Sequence, residues 1–308
     1  MKDLEAQEFS KTAREAYKAF PDKLRGLVVF LLPASDKPVF VAPDIKAHLT
    51  VHAADVQHLT AQALDHMRKQ KTPGTVWTDD VAGTKVNIIA LSSEITLFGF
   101  EHTTKEMCSL LILDHEIGHR ILKQHGESAA DAFSLLRHIQ RFGMDTDLPA
   151  VLADKRALSL ILSQGTDWDL AHYTSDTLER VFQVTQQQDI SKLSLRETAN
   201  LADKITQASQ PSAQTVKAIH AAFYCVAKVN HEKSSPALTL RKTIAVMRKD
   251  AFDPNITRAG KLCLNFPQNK QFMQELATAE KGNYWKNALK FIDDKADKKP
   301  AAPMPRLT

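Results

Sequence analysis

The sequence predicts an α+β protein that is predominantly helical, with a small sheet in its first part and an all-α C-terminal region. Of its 308 residues, 43% are hydrophobic and 25% are charged, a composition typical of a globular protein with enough apolar material for a core. Short apolar runs and alternating patterns, typical of strands, occur before residue 92. After residue 103 the apolar residues recur at helical spacing.

This change of pattern also predicts the domain organisation. A chain of this length fits about two domains. We predict an α+β region over residues 1–145, which carries the active-site helix described below, and a helical region over residues 146–294. Residues 295–308 contain several prolines and lysines, and we predict that they form a disordered tail.

Residues 1–92 are predicted to contain two helices and two pairs of strands. The run Leu27–Leu32 is wholly apolar and stops at Pro33, as expected of a buried strand. A hairpin is predicted around Asp79–Gly83, where turn residues separate two strand-like runs. In chain order the predicted elements are a helix over Leu4–Phe20, strands over Leu27–Leu32 and Val39–Val41, a helix over Ala53–Lys69, and strands over Val76–Thr78 and Lys85–Leu91.

From residue 103 onward the pattern is helical: a capping box, Thr103–Glu106, predicts a helix from there to about Gln124. Gly126 interrupts the pattern, and a second helix is predicted over Ser128–Phe142. Further helices are predicted over Leu148–Leu162, Ser175–Gln187, Ser194–Ser209, Ala213–Val229, Pro236–Arg248, Lys270–Ala279 and Tyr284–Asp293.

Composition also argues against several classes of function. No apolar run approaches the ~20 residues that cross a bilayer, so no membrane association is expected. Basic and acidic residues are interspersed with a net charge of +4, which gives no support for nucleic-acid binding. The three cysteines are far apart, and the N-terminus has no apolar signal core. We therefore expect a cytoplasmic protein, with export as a signal-less effector left open.

One motif carries chemistry: His115-Glu116-Ile117-Gly118-His119 matches H-E-x-x-H within a segment that is predicted to be helical. Residues four apart share one face of a helix, so His115 and His119 can bind one zinc ion. Glu116 lies beside that ion and can accept a proton from its water. The alternative is a helix that binds no metal and carries these three side chains on its polar face by chance.

A catalytic zinc ion needs a third protein ligand, and three candidates follow the motif. His125 has the spacing of the metzincin pattern, but Leu122 occupies the position where that pattern needs glycine. Glu127 follows Gly126, which can break the helix and let the chain fold back. Asp131, one turn later, can either bind the metal or accept a hydrogen bond from a ligand histidine.

The two segments together resemble a known family. His115–His119, followed by Glu127-Ser128-Ala129-Ala130-Asp131, is similar to the H-E-x-G-H … E-x-x-A-D signature of gluzincin-type zinc metallopeptidases. The resemblance implies a zincin-like small sheet beside the active-site helix. It also implies that Glu127 is the third zinc ligand and that Asp131 supports the site. It covers about 20 residues, and the other residues of the chain carry no resemblance.

The expected function is that of a zinc-dependent metallohydrolase, and of a peptidase in particular. Glu116 is the expected general base, and a peptide or protein is the expected substrate. His172 and Tyr173 lie in a predicted loop and are candidate donors to the developing oxyanion. The strand over Lys85–Leu91 is the candidate for binding an extended substrate by β-addition. Two alternatives stay open: a zincin-like regulatory or effector protein that binds a partner through its helical region, and a metal-free helical scaffold.

Overall fold

The computed structural model describes residues 2–32, 37–51, 58, 60–65, 73–81, 83–92, 103–122, 126–280 and 282–293. The chain divides into two compact units, the first formed by Met1–Thr146 with Asp189–Gln207 and the second by Asp147–Gln188 with Ala208–Thr308. The step from the first unit to the second at residue 147 lies close to the predicted boundary. The segment Asp189–Gln207, predicted within the helical region, belongs instead to the first unit. The predicted tail lies outside the described residues.

In its described residues, the first unit contains a mixed four-stranded sheet and several helices. Its strands are β1 (Leu27–Leu32), β2 (Phe40–Val41), β3 (Gly74–Val81) and β4 (Thr84–Ser92). Its helices are α1 (Lys2–Ala19), α2 (Pro43–Val51), α3 (Lys105–Ile121) and α4 (Gly126–Phe142), together with most of α8 (Leu195–Ser209). Of the helix predicted over Ala53–Lys69, the structure describes residues 58 and 60–65, and these are helical. The other residues of that prediction lie outside the described residues.

The sheet has the strand order β2-β1-β4-β3. β1 is buried along its whole length and pairs in parallel with β4, from Leu27 opposite Asn87 to Leu32 opposite Ser92. β2 and β3 pair antiparallel at the two edges, as predicted for both pairs. Because β4 has a partner on each side, the prediction that Lys85–Leu91 receives an extended substrate is wrong. The edge strand on that side of the described sheet is β3.

Helix α3 begins one residue later than predicted and ends earlier. Thr104, not Thr103, caps its N-terminus by accepting a hydrogen bond from the backbone N–H of Met107 at 3.2 Å. The helix ends at Ile121, whose carbonyl accepts a hydrogen bond from Lys23 Nζ at 2.5 Å. Helix α4 then begins at Gly126, which has a φ of +52°. That conformation favours glycine, so the predicted break in the helix is confirmed.

The described residues of the second unit form helices and no strands, as predicted for most of this region. Its helices are α5 (Leu148–Leu162), α6 (Asp167–Ala171), α7 (Ser175–Gln187), α9 (Ala213–His231), α10 (Pro236–Lys249), α11 (Pro254–Asn265), α12 (Pro267–Ala279) and α13 (Tyr284–Asp293). The sequence prediction missed α6 and α11 in this unit and α2 in the first unit. Helix α5 packs against α7, α9 and α11, and Phe223 and Trp285 are fully buried in the core.

The fold class is therefore confirmed at the level of an α+β protein that is predominantly helical. No helix in the described ranges is long and apolar enough to cross a membrane.

Candidate metal centre

The two motif histidines meet on one face of α3. They are one helical turn apart, and their Nε2 atoms lie 3.0 Å from each other. The two rings are nearly perpendicular, with centroids 4.6 Å apart. Their side chains are 15% and 22% exposed, so each ring is largely enclosed while the pair stays open on one side. Two imidazole nitrogens of this kind are typical ligands of a zinc ion.

Helix α4 brings Glu127 to the same point. Its two carboxylate oxygens lie 3.3 Å from His115 Nε2 and 3.4 Å from His119 Nε2. One ligand atom from each of these three residues lies within 4.8 Å of the others. Glu127 is in the first turn of α4. Its carboxylate can therefore reach the histidines because the chain changes direction before Gly126.

Asp131 lies on the opposite side of the His115 ring. Its Oδ1 lies 2.8 Å from Nδ1 of His115, and the carboxylate is almost completely buried. A carboxylate on Nδ1 keeps the proton there and leaves the lone pair of a neutral ring on Nε2. Of the two roles predicted for Asp131, the geometry therefore supports orientation of a ligand histidine, while Glu127 lies in the ligand position.

The charges at the centre are strongly coupled. Burial alone lowers the pKa of His115, but hydrogen bonds to Asp131 and Glu127 outweigh it and raise that pKa to about 10. Burial alone raises the pKa of Glu127, but hydrogen bonds from the two histidines outweigh it and lower that pKa below its usual range. Both shifts have the same cause, because the histidines and the carboxylates stabilise one another's charged forms.

Close packing of α3 against α4 depends on Gly118, the fourth residue of the motif. A Cβ atom at this position would lie 2.9 Å from Cα of Ala130 and 3.3 Å from its Cβ. Ala130 is a buried residue of α4 and directly precedes Asp131. Glycine at 118 therefore lets α4 approach closely enough for Glu127 and Asp131 to reach His115.

A buried ionic network also joins α3 to α4. Asp114, which precedes His115 in the chain, is 2% exposed and forms an ion pair with Arg141 of α4. A second hydrogen bond of 3.1 Å joins Arg141 Nη2 to Asp114 Oδ1, and Arg137 Nε lies 4.0 Å from the same oxygen. Buried charges persist only when they are paired in this way, so the network fixes the register of α3 on α4.

Glu116 has the surroundings of a general base. It is 7% exposed, and burial raises its pKa above the usual range. Gly74, the first residue of β3, lies against it: a Cβ atom at Gly74 would be 3.0 Å from Glu116 Oε1 and 2.5 Å from Ile112 Cγ2. The absence of a side chain at residue 74 leaves space for the carboxylate.

Arg120 is a site residue that the sequence prediction missed. Its Nη2 donates to the carbonyl of Trp77 at 2.6 Å and its Nη1 to Thr78 Oγ1 at 3.2 Å. Both acceptors belong to β3, so the helix and the edge strand are tied together beside His119. The signal available in the sequence was a basic residue directly after the second histidine.

The other predicted site residues have different outcomes. His125 lies outside the described residues. His172 and Tyr173 belong to the second unit, where His172 Nδ1 lies 2.7 Å from the carbonyl of Trp168 and Tyr173 is 3% exposed within the core. Their role as oxyanion donors stays a prediction, and the function proposed below does not depend on it.

The donor set fits a divalent metal of the zinc type. Two imidazole nitrogens and one carboxylate are a common zinc set, and three protein ligands leave one coordination position for water or substrate. Searches of family models, curated proteins and solved structures found no match to this chain.

Proposed function

We propose that this chain is a zinc-dependent metallohydrolase that cleaves peptide bonds, related in its site to the gluzincin-type metallopeptidases. The observation that carries the proposal is the convergence of the two Nε2 atoms, 3.0 Å apart, on the two oxygens of Glu127. In this proposal His115, His119 and Glu127 hold one zinc ion, and Asp131 orients His115. When bound, the ion supplies Lewis-acid chemistry, making water acidic near neutral pH and polarising a carbonyl.

Glu116 performs the proton transfers. Its carboxylate accepts one proton from the attacking water while the water oxygen bonds to the carbonyl carbon of the substrate. As the C–N bond breaks, the same carboxylate gives that proton to the leaving amine. The raised pKa of Glu116 suits both steps, because a base whose pKa lies closer to neutrality also returns its proton readily.

The position of β3 at the edge of the described sheet favours an extended peptide as the substrate. Ser92 N–H donates to the carbonyl of Pro73 at 2.9 Å, and hydrogen-bonded pairs alternate along an antiparallel ladder. The backbone groups of Gly74, Val76 and Thr78 therefore face away from β4. An edge strand with outward N–H and C=O groups can pair with an extended chain, and this one runs beside Glu116 and Arg120.

The test is the variant Glu116→Gln, which keeps the shape of the side chain but cannot accept the proton. We expect it to bind zinc as the wild type does and to lose at least about 100-fold in hydrolysis. The assay is cleavage of a random-sequence peptide mixture by the zinc-loaded protein, read by mass spectrometry. Hydrolysis at the wild-type rate in Glu116→Gln, or absence of zinc binding in the wild type, would contradict the proposal.

The same assay addresses the alternative of a regulatory or effector protein. Such a protein would bind zinc but would not hydrolyse peptides, and Glu116→Gln would change neither result. A metal-free scaffold would bind no zinc at all. The three hypotheses thus give three different combinations of zinc binding and hydrolysis.

A further inference from the structure

A small cavity opens beside the candidate metal centre. It has a volume of about 210 Å³ and is lined by Val76, Trp77, Thr78, His119 and Arg120. One wall is therefore a proposed metal ligand, and the facing wall is the edge strand β3. A substrate group that enters this cavity therefore lies beside both His119 and the guanidinium of Arg120.

The guanidinium of Arg120 is held in place but is not neutralised. Its two hydrogen bonds to β3 go to an uncharged carbonyl and a hydroxyl, and within the described residues it forms no ion pair. Glu116 is the carboxylate whose charge acts on it. Arg120 Nε is buried and has no hydrogen-bond partner in the described part of the chain, so the described residues do not fill the hydrogen-bonding capacity of the guanidinium.

We propose that this cavity binds a carboxylate group of the substrate through Arg120, so that the chain acts on peptides with an acidic side chain or a free C-terminal carboxylate beside the scissile bond. The inference rests on the proposed function and names its substrate class. Arginine is the side chain best suited to carboxylates, because its planar fork matches their two oxygens.

The contacts of Arg120 with β3 strengthen this assignment. They fix the plane of the guanidinium before any ligand arrives, so little side-chain freedom is lost on binding. A residue whose only task is to tie α3 to β3 would need no charge, since both of its acceptors are neutral. Arg120 is therefore a specificity residue as well as a tether, and a test must separate these two roles.

The experiment compares two small probes on the zinc-loaded full chain. Succinic monohydroxamic acid and butyrohydroxamic acid share a metal-binding hydroxamate and a short chain, but only the first ends in a carboxylate. By calorimetry we expect the wild type to bind the first about 10- to 100-fold more tightly, the range for a charge-assisted hydrogen bond. Equal affinities would overturn the inference and leave the zinc centre intact. Binding of neither probe would overturn the proposed function as well.

Variants of Arg120 identify the group responsible. In Arg120→Gln the difference between the two probes should disappear, while butyrohydroxamic acid still binds; in Arg120→Lys part of the difference should persist. A difference unchanged in Arg120→Gln would contradict the assignment. Should Arg120→Gln not fold, the wild-type comparison decides alone. Peptides with Glu or Gln next to the cleaved bond, each as free acid and C-terminal amide, then show which carboxylate enters the cavity.

Discussion

Replacement of Gly118 by alanine tests whether the candidate centre depends on the close approach of α3 and α4. The new Cβ would lie 2.9 Å from Cα of Ala130. Because the nearest atom belongs to the backbone, no side-chain rotation relieves the clash, and α4 has to move. Glu127 and Asp131 are on the same helix within one turn of Ala130, so they move with it.

Two effects of opposite sign set the change in stability. Overpacking of a core contact costs about 1–3 kcal/mol, whereas alanine stabilises a helix interior by about 1 kcal/mol relative to glycine. The net loss in free energy of unfolding should be no more than about 2 kcal/mol, so Gly118→Ala should fold. Metal ligands tolerate displacements of only about 0.2 Å, and loss of supporting geometry typically weakens binding 10- to 100-fold.

The assay is competition for zinc against a chromophoric chelator, with urea unfolding of the metal-free protein measured alongside. Gly282→Ala is the matched control, because a Cβ atom at Gly282 meets nothing within 4 Å. We expect Gly118→Ala to bind zinc at least about tenfold more weakly and Gly282→Ala to bind it normally. Wild-type zinc affinity in a folded Gly118→Ala protein would refute the dependence of the centre on this contact.

Three further predictions follow from the electrostatics. Asp131→Asn should weaken zinc binding about 10- to 100-fold, whereas Asp203→Asn, at a half-buried position on α8 that accepts a hydrogen bond from Gln207, should leave it unchanged; equal affinities would contradict the role of Asp131. Because zinc displaces the proton of His115, whose pKa in the metal-free fold is about 10, zinc affinity should rise up to about tenfold per pH unit between pH 6.5 and 9.5; a flat profile would contradict this. In the second unit, burial and the charge of Glu179 raise the pKa of Asp154 to about 8. Its contribution to stability is thus lost as pH rises from about 4 to 8, so the gain in melting temperature from Asp154→Asn should increase over that range, and a pH-independent difference would contradict it.

Most of the helices and strands could be predicted from the sequence, because the patterns that specify them are local. The apolar run of β1 and the glycine and serine boundaries of the long helices predicted their positions to within a few residues. Helix α6 has only five residues, too few to show a periodic pattern. The start of α11 does carry a local signal, because Asp253 caps the helix and Pro254 follows it in the first turn. The shift of the α3 cap from Thr103 to Thr104 is a choice between adjacent residues with the same side chain.

At the site, the sequence predicted which residues meet but not every role. Helical spacing placed His115 and His119 together, and the glycine break predicted the return of Glu127. The edge position of β3 depends on the order of strands, which is set by long-range pairing and is not visible in a local pattern. For the same reason the contact of Arg120 with β3, and the cavity it lines, could be found only in three dimensions.

The most direct test of the central claim is the zinc dissociation constant of Glu127→Gln, measured by competition beside the wild type and Glu106→Gln. Residue 106 is in the first turn of α3, far along the helix from the histidines, so the control makes the same change of charge away from the site. The account predicts one zinc ion per wild-type chain, unchanged affinity in Glu106→Gln, and a loss of about 100-fold or more in Glu127→Gln. Equal affinity in all three proteins would contradict it.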